Sequence, residues 1–216
     1  NFVRAFEEGT RLGEIADSKQ GIATADNNKF LRLWFEVSNK NVKFDCLTHE
    51  ESKKLPEKWY PYNKGGDFRK WYGNNDYIVN WKNDGIELRE FKKSVIRNPN
   101  FFFKRCFSWS LISSSVAAFR YKPSGHLFDV AGMSVFSNDN LYYLLALCNT
   151  NFSMNVLKIV APTINYQCGD IANIPVKIDE NKKPRIDEIV KENIELCKKD
   201  WDSFETSWDF EKHPLV

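Results

Sequence analysis

The residues predict an α+β fold: a mixed, mostly antiparallel twisted sheet with flanking helices and a long C-terminal helix. Three observations predict it. Short runs of aromatic and β-branched residues, bounded by Gly, Pro, Asn and Asp, recur through residues 11–136. Two segments with apolar residues at helical spacing follow in 138–159. Finally Ile186, Val190, Ile194, Cys197, Trp201, Phe204 and Trp208 fall at steps of three and four, a heptad-like stripe on one helix.

Residues 11–37 read as strand, turn, strand, with the turn at Gly21 and the polar run Thr24-Ala25-Asp26-Asn27-Asn28. Residues 30–37 are dense in aromatic and branched side chains and read as a buried strand. Thr48 with Glu51 three residues on is a capping box, opening a short helix that Pro56 stops. Residues 60–73 are polar and glycine-bearing and read as irregular; 77–81 is a short strand and Asn83-Asp84-Gly85 a turn. Residues 86–95 suit a basic helix, and 101–112 a strand broken at Ser113-Ser114-Ser115. Residues 116–121 and 127–136 read as strands on either side of Lys122-Pro123-Ser124-Gly125. Leu141, Leu144, Leu145 and Cys148 share one face of a helix over 138–148, a second helix covers 152–159, and 169–178 is an extended connector. Pro184 suits the first turn of the tail helix. The tail stripe is too apolar for water, so it either packs back on this domain or meets another helix.

A chain of 216 residues, 42% hydrophobic and 28% charged, is globular and long enough for a real core. Its longest apolar run, eight residues from Leu141 to Cys148, falls short of the ~20 needed to cross a membrane. No basic-then-apolar signal segment opens it, and its start at Asn1 reads as a cut from a longer protein. Five cysteines, an odd number without a CxxC pair, point to reduced thiols in the cytoplasm. His49, His126 and His213 lie far apart, without a metal-binding spacing. There is no GxGxxG, GxxxxGK[ST] or GxSxG, and no two prolines adjoin, which excludes the Asn-Pro-Pro-aromatic pocket that holds a flipped adenine. No catalytic, cofactor or metal residue is therefore assigned; Asp84 with Glu90 and Lys92 only echoes a nuclease cluster.

Charge is balanced overall and uneven along the chain. The net charge is +2, yet residues 58–105 carry 11 basic and 5 acidic side chains. The same stretch holds Trp59, Tyr60, Tyr62, Trp71, Tyr72, Tyr77 and Trp81. Cations interleaved with planar groups are what a polyanion-binding surface requires; the plainer alternative is a solvated strand face.

Several strings are specific: KQGIATADNNKFLRLWFEV from Lys19, KWYPYNKGGDFRKWYGN from Lys58, YIVNWKNDG from Tyr77, SVIRN from Ser94 and FSWSLISSS from Phe107. YLLALCNT from Tyr143, APTINYQCGDIANIPV from Ala161 and KKDWDSFETSWDFEKHPL from Lys198 complete the set. Together they resemble the C-terminal half of the BREX-type phage-defence adenine-specific DNA methyltransferases, the PglX family, in a TaqI-like specificity region related to the target-recognition domains of restriction–modification systems. The resemblance runs from about Glu14 to Pro214, departing at Ala25, where the family turn has Gly, and at Cys148, where Leu is usual. It implies that residues 1–178 form a target-recognition domain without catalysis of its own. Residues 179–216 would be a C-terminal helix, or the start of a helical spacer or dimerisation region. A methyltransferase domain N-terminal to this chain would use S-adenosylmethionine. The partners implied are double-stranded DNA, that catalytic domain and other defence-system subunits, in a bacterial cytoplasm. Two alternatives stand beside this reading: the specificity part of a combined restriction endonuclease–methyltransferase, and a protein-docking domain without direct DNA contact.

Within this frame Lys64, Arg69, Lys70 and Lys82 are the phosphate candidates, holding the register on the duplex. Arg97 and Asn98 have the side chains that read guanine and adenine, although Asn98 before Pro99 also suits a turn. Lys104 and Arg105 interrupt an apolar run and should point outward. Trp71 and Trp109 either wedge into DNA or pack in the core, and for Trp109 the core is favoured by its apolar neighbours. Ser113, Ser114, Asn165 and Gln167 either contact DNA or shape their loops.

Overall fold

The computed structural model describes residues 2–112, 116–161 and 165–216. In chain order they form α1 (Phe2–Glu8), β1 (Thr10–Arg11), α2 (Leu12–Ile15), β2 (Asp17–Lys19), α3 (Asn27–Phe30), β3 (Leu31–Leu33), α4 (His49–Ser52), β4 (Trp59–Asn63), β5 (Tyr77–Asn80) and α5 (Lys82–Glu90). Then come β6 (Cys106–Ser108), β7 (Arg120–Lys122), β8 (Leu127–Phe128), β9 (Ser134–Phe136), α6 (Leu141–Cys148), α7 (Asn151–Val160), α8 (Cys168–Ala172), β10 (Pro175–Val176) and α9 (Lys183–Asp202). The strands build two four-stranded sheets, ordered β2-β9-β6-β7 and β3-β5-β4-β8, and a small β1-β10 ribbon. Every named pairing is antiparallel except β4 with β8. The fold is therefore the mixed, mostly antiparallel α+β arrangement expected, divided into two sheets.

Each sheet has its own core. Phe107, Trp109, Phe119 and Val135 of the first pack against Leu144, Leu145, Val156 and the α9 side chains Val190, Ile194 and Trp201. The tail stripe thus packs back on this domain. Burying side chains of this size is worth about 1.5–3 kcal/mol each. The stripe outlasts its helix: Phe204 lies beyond α9 and is 51% exposed, and Trp208 packs instead against the rings of Phe44 and His126. The second core joins Phe30, Tyr60, Tyr62, Val79, Trp81, Phe102, Phe103 and Phe128. Asn63, at the end of β4, ties the sheets together. Its buried amide donates to Ser108 Oγ at 2.7 Å on β6, to Gly132 O at 2.9 Å and to Ser134 Oγ at 3.3 Å on β9.

Local signals explain where elements start. Thr48 accepts from Glu51 N at 3.1 Å, the cap expected for α4. Asn83, Asp84 and Gly85 are all left-handed, with φ of 52°, 61° and 68°, so the turn read there is real and α5 is regular only beyond it.

Several segments differ from the sequence reading: 127–136 divides into β8 and β9 on different sheets, and the helix read over 86–95 ends at Glu90. Residues 30–37 are not one buried strand: Asp26 caps Lys29 N, Leu33 N donates to the Glu36 carboxylate in a 3₁₀ turn, and Phe35 is 60% exposed. The region 60–73 starts with a fully buried strand, β4, in spite of Pro61. There β5 pairs on one side, while the other edge meets Val42 at Trp59 and β8 only from Tyr62, leaving Pro61 between them. The run 101–112 shortens to β6, because Pro99–Phe101 is 3₁₀ and Phe103 is left-handed at φ 65°. The connector 169–178 holds α8 and β10, as Asp170 accepts from Gln167 N.

Candidate nucleic-acid interface

Two basic segments reach the surface. The first is the loop after β4, residues 64–76, which is pinned from beneath. The buried Lys122 ammonium donates to Gly73 O and Asn74 O at 2.8 Å and to Asn75 Oδ1, and burial pulls its pKa well below the lysine range. Trp71 is left-handed at φ 69°; its N donates to Phe119 O at 3.0 Å and its carbonyl accepts from Tyr121 N at 2.8 Å. The loop is therefore stitched to β7.

The cations on this loop have protein partners. Lys64 Nζ lies 2.9 Å from the buried Asp129 carboxylate and 3.3 Å from Asn27 Oδ1. Arg69 pairs with Asp200 at 3.4 Å and lies over the Trp201 ring, 4.8 Å from its centroid. Lys70 Nζ donates to Asn149 O at 3.1 Å. Lys64, Arg69 and Lys70 thus already share their charge with protein groups, which lowers what a phosphate gains from them. Lys82, at the start of α5, is exposed.

The second segment, residues 92–105, has no acidic residue. Lys92, Lys93, Lys104 and Arg105 are exposed. Lys104 Nζ sits over the Phe101 ring and Arg105 Nη2 donates to Asn138 O at 3.1 Å, so both point outward. Arg97 is half-buried, and its Nη1 is enclosed without a partner among the described residues. Asn98 takes the left-handed turn position, φ 52°, and its amide donates to Gln20 O at 2.9 Å. Gln20 in turn donates to Gln167 Oε1 at 3.4 Å. Two amides far apart in sequence, Asn98 and Gln167, are thereby brought together through Gln20. Asn165 is exposed and its backbone bridges Ile112. Ser113 and Ser114 lie outside the described residues.

Trp109 is fully buried, with its indole N–H on Tyr166 O at 2.8 Å, so it packs in the core. Asp84 faces His49 and Arg89, and no group of three metal-ligating side chains occurs among the described residues. Gln20, Lys92 and Lys93 were missed as site residues. The stretch of 14 residues without a carboxylate, 92–105, is the sequence signal that marks the two lysines. Among the described residues no helix is long and apolar enough to cross a membrane.

No family model matches the chain. It is 37% identical over 215 residues to the adenine-specific methyltransferase PglX of Lacticaseibacillus casei (strain Zhang), covering 95% of this chain and 18% of that protein. It is 37% identical over 220 residues to the adenine-specific methyltransferase BrxX of Escherichia coli O9:H4 (strain HS), covering 100% of this chain and 17% of that protein. An uncharacterised F-box protein of Caenorhabditis elegans is 26% identical over 155 residues. The chain spans less than a fifth of the length of the two methyltransferases. It is thus related, along its whole length, to one segment of the adenine-specific methyltransferases PglX and BrxX.

Proposed function

We propose that this chain is the site-recognition part of an adenine-specific, S-adenosylmethionine-dependent DNA methyltransferase of phage defence or restriction–modification. It works on double-stranded DNA in a bacterial cytoplasm, beside a catalytic domain of the same longer protein. The sequence holds no glycine-rich nucleotide loop and no adenine pocket motif, so no step with S-adenosylmethionine is assigned to these residues. The observation that carries the reading is the exposure of Lys92, Lys93, Lys104 and Arg105 in the carboxylate-free segment 92–105 of a relative of such methyltransferases. Cations of this kind hold a protein on the phosphate backbone, while amides such as Asn98 and Gln167 have the groups that read base edges.

The test is fluorescence anisotropy with duplex DNA over a salt series. If Lys92, Lys93, Lys104 and Arg105 each neutralise a phosphate, log K falls against log salt with a slope of about −3 to −4. Absence of salt-dependent binding, by the chain and by the longer protein alike, would overturn the reading in favour of protein docking.

A further inference from the structure

Arg97 lies between α5 and β6, and its backbone is gripped on both sides. Before it, Val95 and Ala23 exchange both main-chain hydrogen bonds at 2.9 Å. After it, Asn98 takes the left-handed turn position and donates its amide to Gln20 O at 2.9 Å. The strip that holds them, residues 20–23, is itself fixed. Ile22 N donates to Phe128 O at 2.8 Å, and Gly21 lies so close that a Cβ there would meet the Phe128 carbonyl oxygen at 1.8 Å. Ile96 packs against the second core, while Val95 is 44% exposed and Arg97 half-buried.

A guanidinium carries five N–H donors. Arg69 and Arg89 have carboxylates within 3.4 Å, whereas Arg97 has no hydrogen bond or ion pair among the described residues. Its Nη1 is enclosed; Nε and Nη2 are not, and they form the fork that a ligand can reach. A cation taken partly out of water without a partner costs free energy, and a bound acceptor offsets that cost.

The surroundings select the acceptor. Lys92, Lys93 and Lys104 of the same segment are exposed and suit phosphates. Around Arg97 the fold gathers neutral amides instead: Asn98 beside it, and Gln20 and Gln167 joined by a 3.4 Å hydrogen bond. A fixed fork among amides matches a base-pair edge in the major groove. There guanine presents O6 and N7 as two adjacent acceptors, where adenine presents an acceptor and a donor.

We propose that Arg97 is a specificity-determining residue that reads a guanine in the major groove of duplex DNA through Nε and Nη2. The assignment deepens the DNA-recognition reading and rests on it. It is tested by selection from randomised duplexes, with the chain and with the longer protein, followed by anisotropy on the selected site. The wild type selects a site with a guanine that it prefers about tenfold or more over adenine at that position. Arg97→Met keeps or raises the urea midpoint and loses that one preference while retaining the rest of the site. In the wild type, 7-deazaguanine at that position removes the N7 acceptor and weakens binding several-fold; in Arg97→Met it changes nothing. Uniform weakening of all sequences with a salt slope smaller by about one would make Arg97 a phosphate contact and overturn the proposal. An unchanged guanine preference in Arg97→Met, or indifference of the wild type to 7-deazaguanine, would overturn it too. All three outcomes leave DNA recognition standing. Absence of salt-dependent binding by the chain and by the longer protein removes that reading, and the guanine contact with it.

Discussion

Between Lys64 and Lys70 the chain carries three cations, and between Lys92 and Arg105 five. In the first stretch Asp129, Asp200 and the Asn149 carbonyl occupy the charged heads. In the second, Lys92, Lys93 and Lys104 are exposed and none pairs with a carboxylate among the described residues, while the exposed Arg105 gives one arm to the Asn138 carbonyl. The difference teaches that a basic stretch binds an anion through the charges the fold leaves over. Those it has already paired with its own carboxylates and carbonyls hold the loop in shape instead.

The largest effect expected follows from the floor of the pinned loop. His126, beside Lys122 in the core, is 7% exposed, and burial, followed by the Lys122 charge, lowers its pKa from 6.5 to about 3. Between those values the unfolded chain binds a proton that the folded chain does not. Stability therefore falls as the pH drops from 6.5 toward 3, by about 1.4 kcal/mol per unit. Urea unfolding across this range should show that slope, and His126→Leu should flatten it; a slope unchanged in the variant would assign the acid sensitivity to other groups.

Next comes Lys122→Met. It leaves the Gly73 and Asn74 carbonyls and the Asn75 amide oxygen buried without their donor, which outweighs the relief of removing a buried charge. The expected loss is about 2–4 kcal/mol in urea unfolding, with faster amide exchange confined to residues 64–76. Wild-type exchange in that loop would break the link between the buried ammonium and the loop's order.

The smallest effect is at Ala25, which takes the left-handed φ of 59° without being glycine. Ala25→Gly relieves the left-handed strain, partly offset by the greater chain entropy of glycine. It should raise stability by about 0.5–1 kcal/mol, read as a higher urea midpoint at constant m-value.

The parts of this fold that were legible in the sequence are those set by neighbours along the chain. The Thr48 cap, the left-handed Asn83-Asp84-Gly85 turn and the apolar stripe through Val190, Ile194 and Trp201 all follow from spacings of a few residues. β4 was hidden, because Pro61 argues against a strand until β5, β8 and Val42 are known to meet it on either side of the proline. The same limit applied to the site. The excess charge of residues 58–105 was plain, but the partners of Lys64, Arg69 and Lys70 lie 65, 131 and 79 positions away. Only the fold could show which cations were already engaged. Nothing local marks Gln20 either, since its partners Asn98 and Gln167 come from distant loops.

The most direct test of the account compares two triple variants in the salt-dependent duplex assay. One changes Lys92, Lys93 and Lys104 to Gln; the other changes Lys64, Arg69 and Lys70 to Gln. The account predicts that the first loses about 2–3 units of salt slope and keeps its folding stability. The second should lose stability, through the orphaned Asp129 above all, and keep its slope within about one unit. The reverse pattern, with the slope lost only when the 64–70 cations go, would show that DNA displaces their protein partners and would contradict the account.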